Sequence, residues 1–176
     1  MAEIIDLYDN CRNVVGQAEY RAPLDFGLNR LFAHVWFVNK NGLFLLQQRV
    51  ATTHRFPNKW SQTGGCVRTG EDSFDCAKRE SFEELGINID AARSIWIGTT
   101  KNLDNFVDIW LVGTDVACTD LTLQPDEVQD AKWVDVAEIR RMNNDDLTTP
   151  AVLPEMERIL QYADSVGVQN VGDLVK

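Results

Sequence analysis

Positive charge is scarce in this sequence. Seventeen Lys and Arg stand against 27 Asp and Glu, which leaves a net charge of −10 and a pI near 4.6. A nucleic-acid binder neutralises phosphates with a basic footprint, so no nucleic-acid partner is expected. Long apolar runs are missing too. No stretch approaches the roughly 20 residues that a membrane helix needs, so no membrane role is expected. Residues 1–10 carry Glu3, Asp6 and Asp9 and lack a basic region leading into an apolar one, so no signal peptide is read there. The four cysteines (Cys11, Cys66, Cys76 and Cys118) form no CxxC pair, which argues against a structural zinc site. Reduced thiols in a cytoplasmic protein fit that pattern. Repeats, low-complexity tracts and long linkers are also absent.

What remains is an ordinary globular composition. The 176 residues suit one domain spanning 1–176. Apolar residues make up 44 %, and five Trp, eight Phe and three Tyr exclude disorder along the whole chain. Residues 1–20 read as an amino-terminal hairpin turning at Asp9-Asn10. Residues 31–38, nearly all apolar, predict a buried strand, and Asn39 to Gly42 a turn into a second strand that ends at Arg49. A loop over 50–60, a short extended piece at 60–63 and a Gly64-Gly65 break follow. Residues 72–85 predict a helix, with Asp72 as N-cap and Gly86 at its end. Strands are expected at 95–99, 106–113 and 131–134. A short helix is expected at 136–142 and a last helix over about 150–163, preceded by Pro150 and Pro154.

Chemistry concentrates in residues 65–87. Wound at about 100° per residue, with Glu80 as origin, Glu83 falls near −60° and Glu84 near +40°, so three carboxylates share about 100° of one helix face. Phe74, Ala77, Lys78, Ser81 and Leu85 occupy the adjoining, largely apolar face, fit to pack on a sheet. Like charges three and four residues apart repel, and a hard divalent cation with oxygen ligands relieves that repulsion. The plain alternative is a solvated acidic surface.

This segment resembles the Nudix box, G-x5-E-x7-R-E-U-x-E-E-x-G-U with U a bulky aliphatic. Gly65, Glu71, Arg79, Glu80, Glu83, Glu84, Gly86 and Ile87 match it. Ser81 takes the first U position and departs from it, which should loosen helix–sheet packing slightly. The resemblance implies an α/β Nudix fold: a mixed β-sheet in an α/β/α sandwich, here with the amino-terminal hairpin added. It also implies hydrolysis of a nucleoside diphosphate linked to another moiety, X, a small-molecule diphosphate, using Mg²⁺ or Mn²⁺. Glu80, Glu83, Glu84 and the Gly65 carbonyl would be metal ligands, and Arg79 would pair with Glu71 to hold the carboxylate helix. Glu80, Glu83, Arg79 and Glu127 make up the catalytic set. The general base in this family is a box glutamate or one on a later loop, and Glu127 is the later-loop candidate here, with an exposed loop acid as the alternative.

Other residues are read from their places alone. Arg49 ends a strand directed toward the box, as a phosphate contact or as a surface residue. Phe56 and Trp60 flank the loop before Gly64 and are substrate-stacking candidates, with core packing the default. His34, inside an apolar strand, reads as a satisfied core histidine. Asp104 and Asp108 read as solvated strand-end acids, and Cys66 and Cys76 as inert. The upstream stretches LFLLQQR and FPNKWSQTGG also resemble isopentenyl diphosphate isomerase, a Nudix-fold relative. That family carries a Cys-Cys-Ser-His stretch where Gly64-Gly65-Cys66-Val67 stands here, so its catalytic cysteine and histidine are missing. A non-catalytic Nudix-fold binding module is a further alternative, although such proteins lose box glutamates and this chain keeps them. The sequence leaves X, a coenzyme A diphosphate included, and the oligomeric state open.

Overall fold

A computed structural model of the chain describes residues 3–176. Its centre is strand β3 (Arg30–Val38), whose side chains alternate between two apolar layers. Leu31, Ala33, Val35 and Phe37 enter one core, with Cys76, Ala77 and Leu85 of helix α1 (Ser73–Leu85). Trp36 and Val38 enter the other. They meet Ile139 and Met142 of α2 (Val136–Asn144) and Val152, Met156 and Ile159 of α3 (Val152–Ser165). The expected α/β/α sandwich is therefore present, with a period of two along β3 feeding both helix layers.

The sheet is mixed. Strands β4 (Phe44–Arg49), β7 (Ser94–Lys101) and β8 (Asn105–Gly113) give the spatial order β5-β4-β3-β8-β7, in which β3 and β8 alone run parallel. Two short strands, β5 (Trp60–Ser61) and β6 (Thr63–Cys66), leave β4 and join β3. β9 pairs along the far edge of β4. It runs from Val128 to Val134 and so begins earlier than the expected 131. Separately, β1 (Ile4–Tyr8) and β2 (Val14–Glu19) form the amino-terminal hairpin as a two-stranded sheet.

One register detail places the site. Phe37 and Val38 at the end of β3 pair with β4, whereas residues 32–35 pair with β6. Both strands lie on the same edge of β3, and the sheet forks between them. Gly64 makes the lower branch possible, because a Cβ there would stand 2.4 Å from the Ala33 carbonyl oxygen.

Helix α1 begins and ends where its caps dictate. The Asp72 carboxylate accepts from the Phe74 and Asp75 backbone N–H groups, both at 2.8 Å. Gly86, left-handed at φ 72°, closes the helix with an N–H to the Phe82 carbonyl. Lys78, expected near the packed face, is instead exposed and pairs with Asp75. Ser81 is fully buried, and its hydroxyl has no hydrogen-bond partner among the described residues. Pro154 lies inside the first turn of α3 rather than before it. A proline costs nothing there, since its missing N–H would have had no intrahelical partner.

Candidate functional site

The fork lets the box glutamates reach through the sheet. Glu84 points along the middle of the buried face of α1 and is 1 % exposed. Its Oε2 accepts from Gln47 Nε2 of β4 at 2.9 Å and from the Gly64 backbone N–H of β6 at 3.1 Å, one donor from each branch. Glu80, one turn earlier, lies against the backbone of Gly65, where a Cβ would meet Oε1 at 2.0 Å. Only glycine fits that approach. Glu83 is exposed on the helix edge, with Arg79 at 3.3 Å and Arg68 at 3.6 Å.

Arg79 gathers the loop and the helix. Its Nε donates to Glu71 Oε1 at 2.7 Å and Nη2 to Oε2 at 3.0 Å, a bidentate fork. Nη1 reaches Glu80 at 2.5 Å, and Nη2 also donates to the Cys66 carbonyl at 3.1 Å. Arg79 is held strongly protonated: its burial is outweighed by the hydrogen bonds it donates to Glu71 and by the charge of Glu80. Against the burial that would raise it, the Arg79 fork and the Arg68 N–H hold the Glu71 carboxyl below its usual value.

The other carboxyls move the opposite way. Burial, then the neighbouring Glu80 charge, pushes Glu84 well above the ordinary range. Burial also raises Glu80, against the pull of Arg79 and with repulsion from Glu83 and Glu127. Like charges in a low-dielectric fork are the physical signature of a site built for a cation. The hard oxygen donors of Glu80, Glu83, Glu84 and Gly65 have the chemistry to hold one. Among the described residues these side chains do not converge on a single point: Glu80 and Glu83 face Arg79, and Glu84 faces the sheet. The Gly65 carbonyl faces the Cys76 thiol at 3.6 Å.

A cleft of about 900 Å³ opens over the fork on the α3 side. Arg49, Phe56, Gly65, Glu80, Glu83 and Glu127 all line it. Arg49 also holds the following loop by donating to the Arg55 carbonyl at 3.0 Å. Phe56 is 41 % exposed, with the Arg55 guanidinium 5.8 Å from its ring centre and a positive φ of 53°, which is rare for a bulky residue.

Three expectations need correction. Trp60 does not face the cleft: β5 pairs with β4 and turns its ring into the α3-side core, under the Lys132 ammonium at 4.4 Å. His34 is not enclosed in the core. It is an α3-side residue of β3 at the fork, so its ring lines the cleft. Asp108 is not solvated. It is 2 % exposed and bonds Thr99 and both ends of the Arg12 guanidinium from the hairpin turn. Asp104 is exposed, 3.8 Å from Arg30. The Cys66 thiol, pushed up to about 12 by burial, donates to the Leu31 carbonyl, and burial raises Cys76 as well.

The sequence reading missed Gln47, Gln62 and Glu155. Glu155 had a readable signal: a carboxylate set beside Val152, Met156 and Ile159 in the apolar stripe of an amphipathic helix. Gln47 and Gln62 carry none, because their importance comes from the fork.

Comparison with known proteins meets this geometry. The family model described as the NUDIX domain matches residues 28–154. An uncharacterised Nudix hydrolase of Listeria monocytogenes is 34 % identical over 79 % of this chain and 83 % of its own. An isopentenyl-diphosphate Delta-isomerase of Nocardia farcinica is 31 % identical over 96 % and 98 %. A crystal structure from Deinococcus radiodurans superposes with a TM-score of 0.70 at 23 % identity, over 81 % and 90 % of the two chains, which bears on the fold. The matched span contains the forked sheet, the carboxylate helix and the Arg79–Glu71 fork, and with them this chain belongs to the Nudix family.

Proposed function

We propose that the chain is a divalent-cation-dependent hydrolase that cleaves the diphosphate linkage of a nucleoside diphosphate joined to a further moiety, X. The observation that carries this reading is the buried Glu84 beside Glu80, with Gly65 leaving room for the second carboxylate. Glu80, Glu83, Glu84 and the Gly65 carbonyl would hold Mg²⁺ or Mn²⁺. When bound, the ion offsets charge on the phosphate oxygens and makes water more acidic.

The chain's own residues supply the rest. Arg79, tied to Glu71 and Cys66, fixes the helix that carries the carboxylates. Glu127 takes the proton of the attacking water. Water oxygen then bonds to phosphorus, the phosphoanhydride P–O bond breaks, and the departing phosphate oxygen keeps the electron pair. Arg49 orients a phosphate, and Phe56 at the mouth stacks on an aromatic base. Neither nucleic acid nor membrane is assigned as a partner, and no helix among the described residues is long and apolar enough to cross a bilayer. The compartment assigned is the cytoplasm. The test is chromatographic detection of the two products of phosphoanhydride cleavage from dinucleotides, nucleotide sugars, oxidised nucleotides and coenzyme A with Mg²⁺, repeated in EDTA. Turnover that survives chelation, or none with any of these substrates, removes the reading.

The isomerase reading is favoured by the near full-length relative. Gly65 and Val67 oppose it by standing at that family's cysteine and histidine positions. The buried Cys66, its thiol engaged with Leu31, offers no substitute. Conversion of isopentenyl diphosphate by the purified chain would reverse this order.

A further inference from the structure

Five buried side-chain oxygens lack a hydrogen-bond partner among the described residues, and three of them sit on cleft-lining residues: Ser61, Gln62 and Asn105. They are spread along the wall and closed to solvent: Asn105 lies beside Arg30 at one end of β3, Ser61 beside Gln47 toward the other, and Gln62 next to His34.

His34 stands in the same wall, with one nitrogen committed and one open. Glu155 of α3, 5 % exposed, places Oε1 2.7 Å from His34 Nδ1, and Trp36 Nε1 donates to Oε2 at 2.9 Å. A carboxylate only accepts, so Nδ1 carries a proton and donates to Glu155. It cannot then accept from the Gln62 amide nitrogen 2.7 Å away. Whichever way that amide turns, one end of a side chain only 6 % exposed stays unmatched. The other edge of the ring is free. Cδ2 lies against Gly64, and Nε2 makes no hydrogen bond in the protein and opens to the cleft.

We infer that His34 is a specificity-determining contact for X, with Glu155 and Trp36 as positioning residues, and that X is a hydroxyl-bearing moiety such as a sugar. One hydroxyl donates to Nε2, held in place by the Glu155 contact on the other edge of the ring. A prenyl chain has no donor and would leave Nε2 unmatched. The identity of X as the group beyond a diphosphate rests on the hydrolase reading; the contact itself does not.

The test separates the two. The chain has two histidines, His34 and His54, so ring nitrogens of the ¹⁵N-labelled protein are assignable with one His34→Gln variant. The full chain in EDTA, where no turnover is needed, is titrated with UDP-glucose, ADP-ribose and isopentenyl diphosphate. The expected result is an Nδ1–H tautomer at His34, with Nε2 shifting on at least one sugar nucleotide and not on isopentenyl diphosphate. An Nε2 signal unmoved by both sugar nucleotides overturns the inference, whereas missing phosphoanhydride cleavage with Mg²⁺ overturns the hydrolase reading instead. Kinetics on the sugar nucleotide that is turned over give a second arm. His34→Asn keeps an amide at the Nδ1 position and loses Nε2, so KM should rise about tenfold with kcat little changed. His34→Gln carries its amide to the Nε2 position and should restore most of that loss. An unchanged KM in His34→Asn, or equal losses in the two variants, defeats the assignment.

Discussion

The Arg79–Glu71 fork sets a quantitative test of whether the carboxylate helix is held from its loop. Both side chains are largely buried, and the two contacts are 2.7 and 3.0 Å long. Hydrogen bonds to charged groups contribute about 1.5–3 kcal/mol, so Glu71→Ala should cost about that much. Arg79→Ala removes the fork and also strips Glu80 of its 2.5 Å partner, leaving a half-buried network uncompensated, for a cost of about 3–5 kcal/mol. The double variant loses the fork only once. Its cost should therefore fall short of the sum by about 1–3 kcal/mol. Urea unfolding followed by tryptophan fluorescence gives all four stabilities, with m-values checking that the unfolded state is unchanged. High salt should shrink the coupling only slightly, because the pair is sheltered. Additivity within about 0.5 kcal/mol would mean that Arg79 and Glu71 are neighbours without mechanical effect.

Other outcomes follow from the same geometry. Glu84→Gln keeps both acceptor contacts while deleting a buried charge, so without divalent ions its melting temperature should rise by a few degrees, and kcat with Mg²⁺ should fall by orders of magnitude; a lower melting point in EDTA would contradict the repulsion. Gly65→Ala drives a Cβ to 2.0 Å from Glu80 Oε1, so kcat should fall at least tenfold while circular dichroism stays unchanged; wild-type turnover would show that the approach is not needed. Arg12 and Thr99 hold the Asp108 carboxyl below its usual value despite burial. Its contribution is thus fully present above the unfolded pKa near 3.8 and is lost as pH falls through the lower folded value. Asp108→Asn should cost about 1–3 kcal/mol at pH 7 and progressively less below pH about 4. A pH-independent difference in denaturant midpoints would refute the charged pairing.

How much was legible follows from the range of the interactions involved. Helix α1 was readable to within a residue because Asp72 and Gly86 mark its ends locally. The box residues were readable because their spacing lies on one helix. His34 was misplaced because a strand shows its period but not which of two faces holds a cavity. Trp60 was misplaced for a related reason: pairing between β5 and β4, 12 residues apart at Gln48 and Trp60, decides where its ring points. The Arg12–Asp108 pair spans 96 residues, and no local pattern announces it. Charge-screening logic pointed to a cation-ready face, yet it did not show that Glu84 lies at the centre of that face rather than at its rim.

The two strands of the hairpin are held unequally: β1 buries Ile5 and Leu7 with Cys66 and Tyr8 with Leu31, and it is tied by bridges at Ile5–Arg68 and Tyr8–Asn29, with the Glu3–Arg68 and Arg12–Asp108 pairs beside it. β2 itself is almost wholly exposed. β2 has β1 as its one strand partner, so its amide hydrogens should exchange well before those of β3 do. Glu3 and Tyr20 of the hairpin also border the cleft. Fraying of β2 toward Tyr20 would loosen that side of the cleft wall. The cleft is thus walled on that side by the least protected strand of the molecule, while the fork opposite it rests on the best protected one.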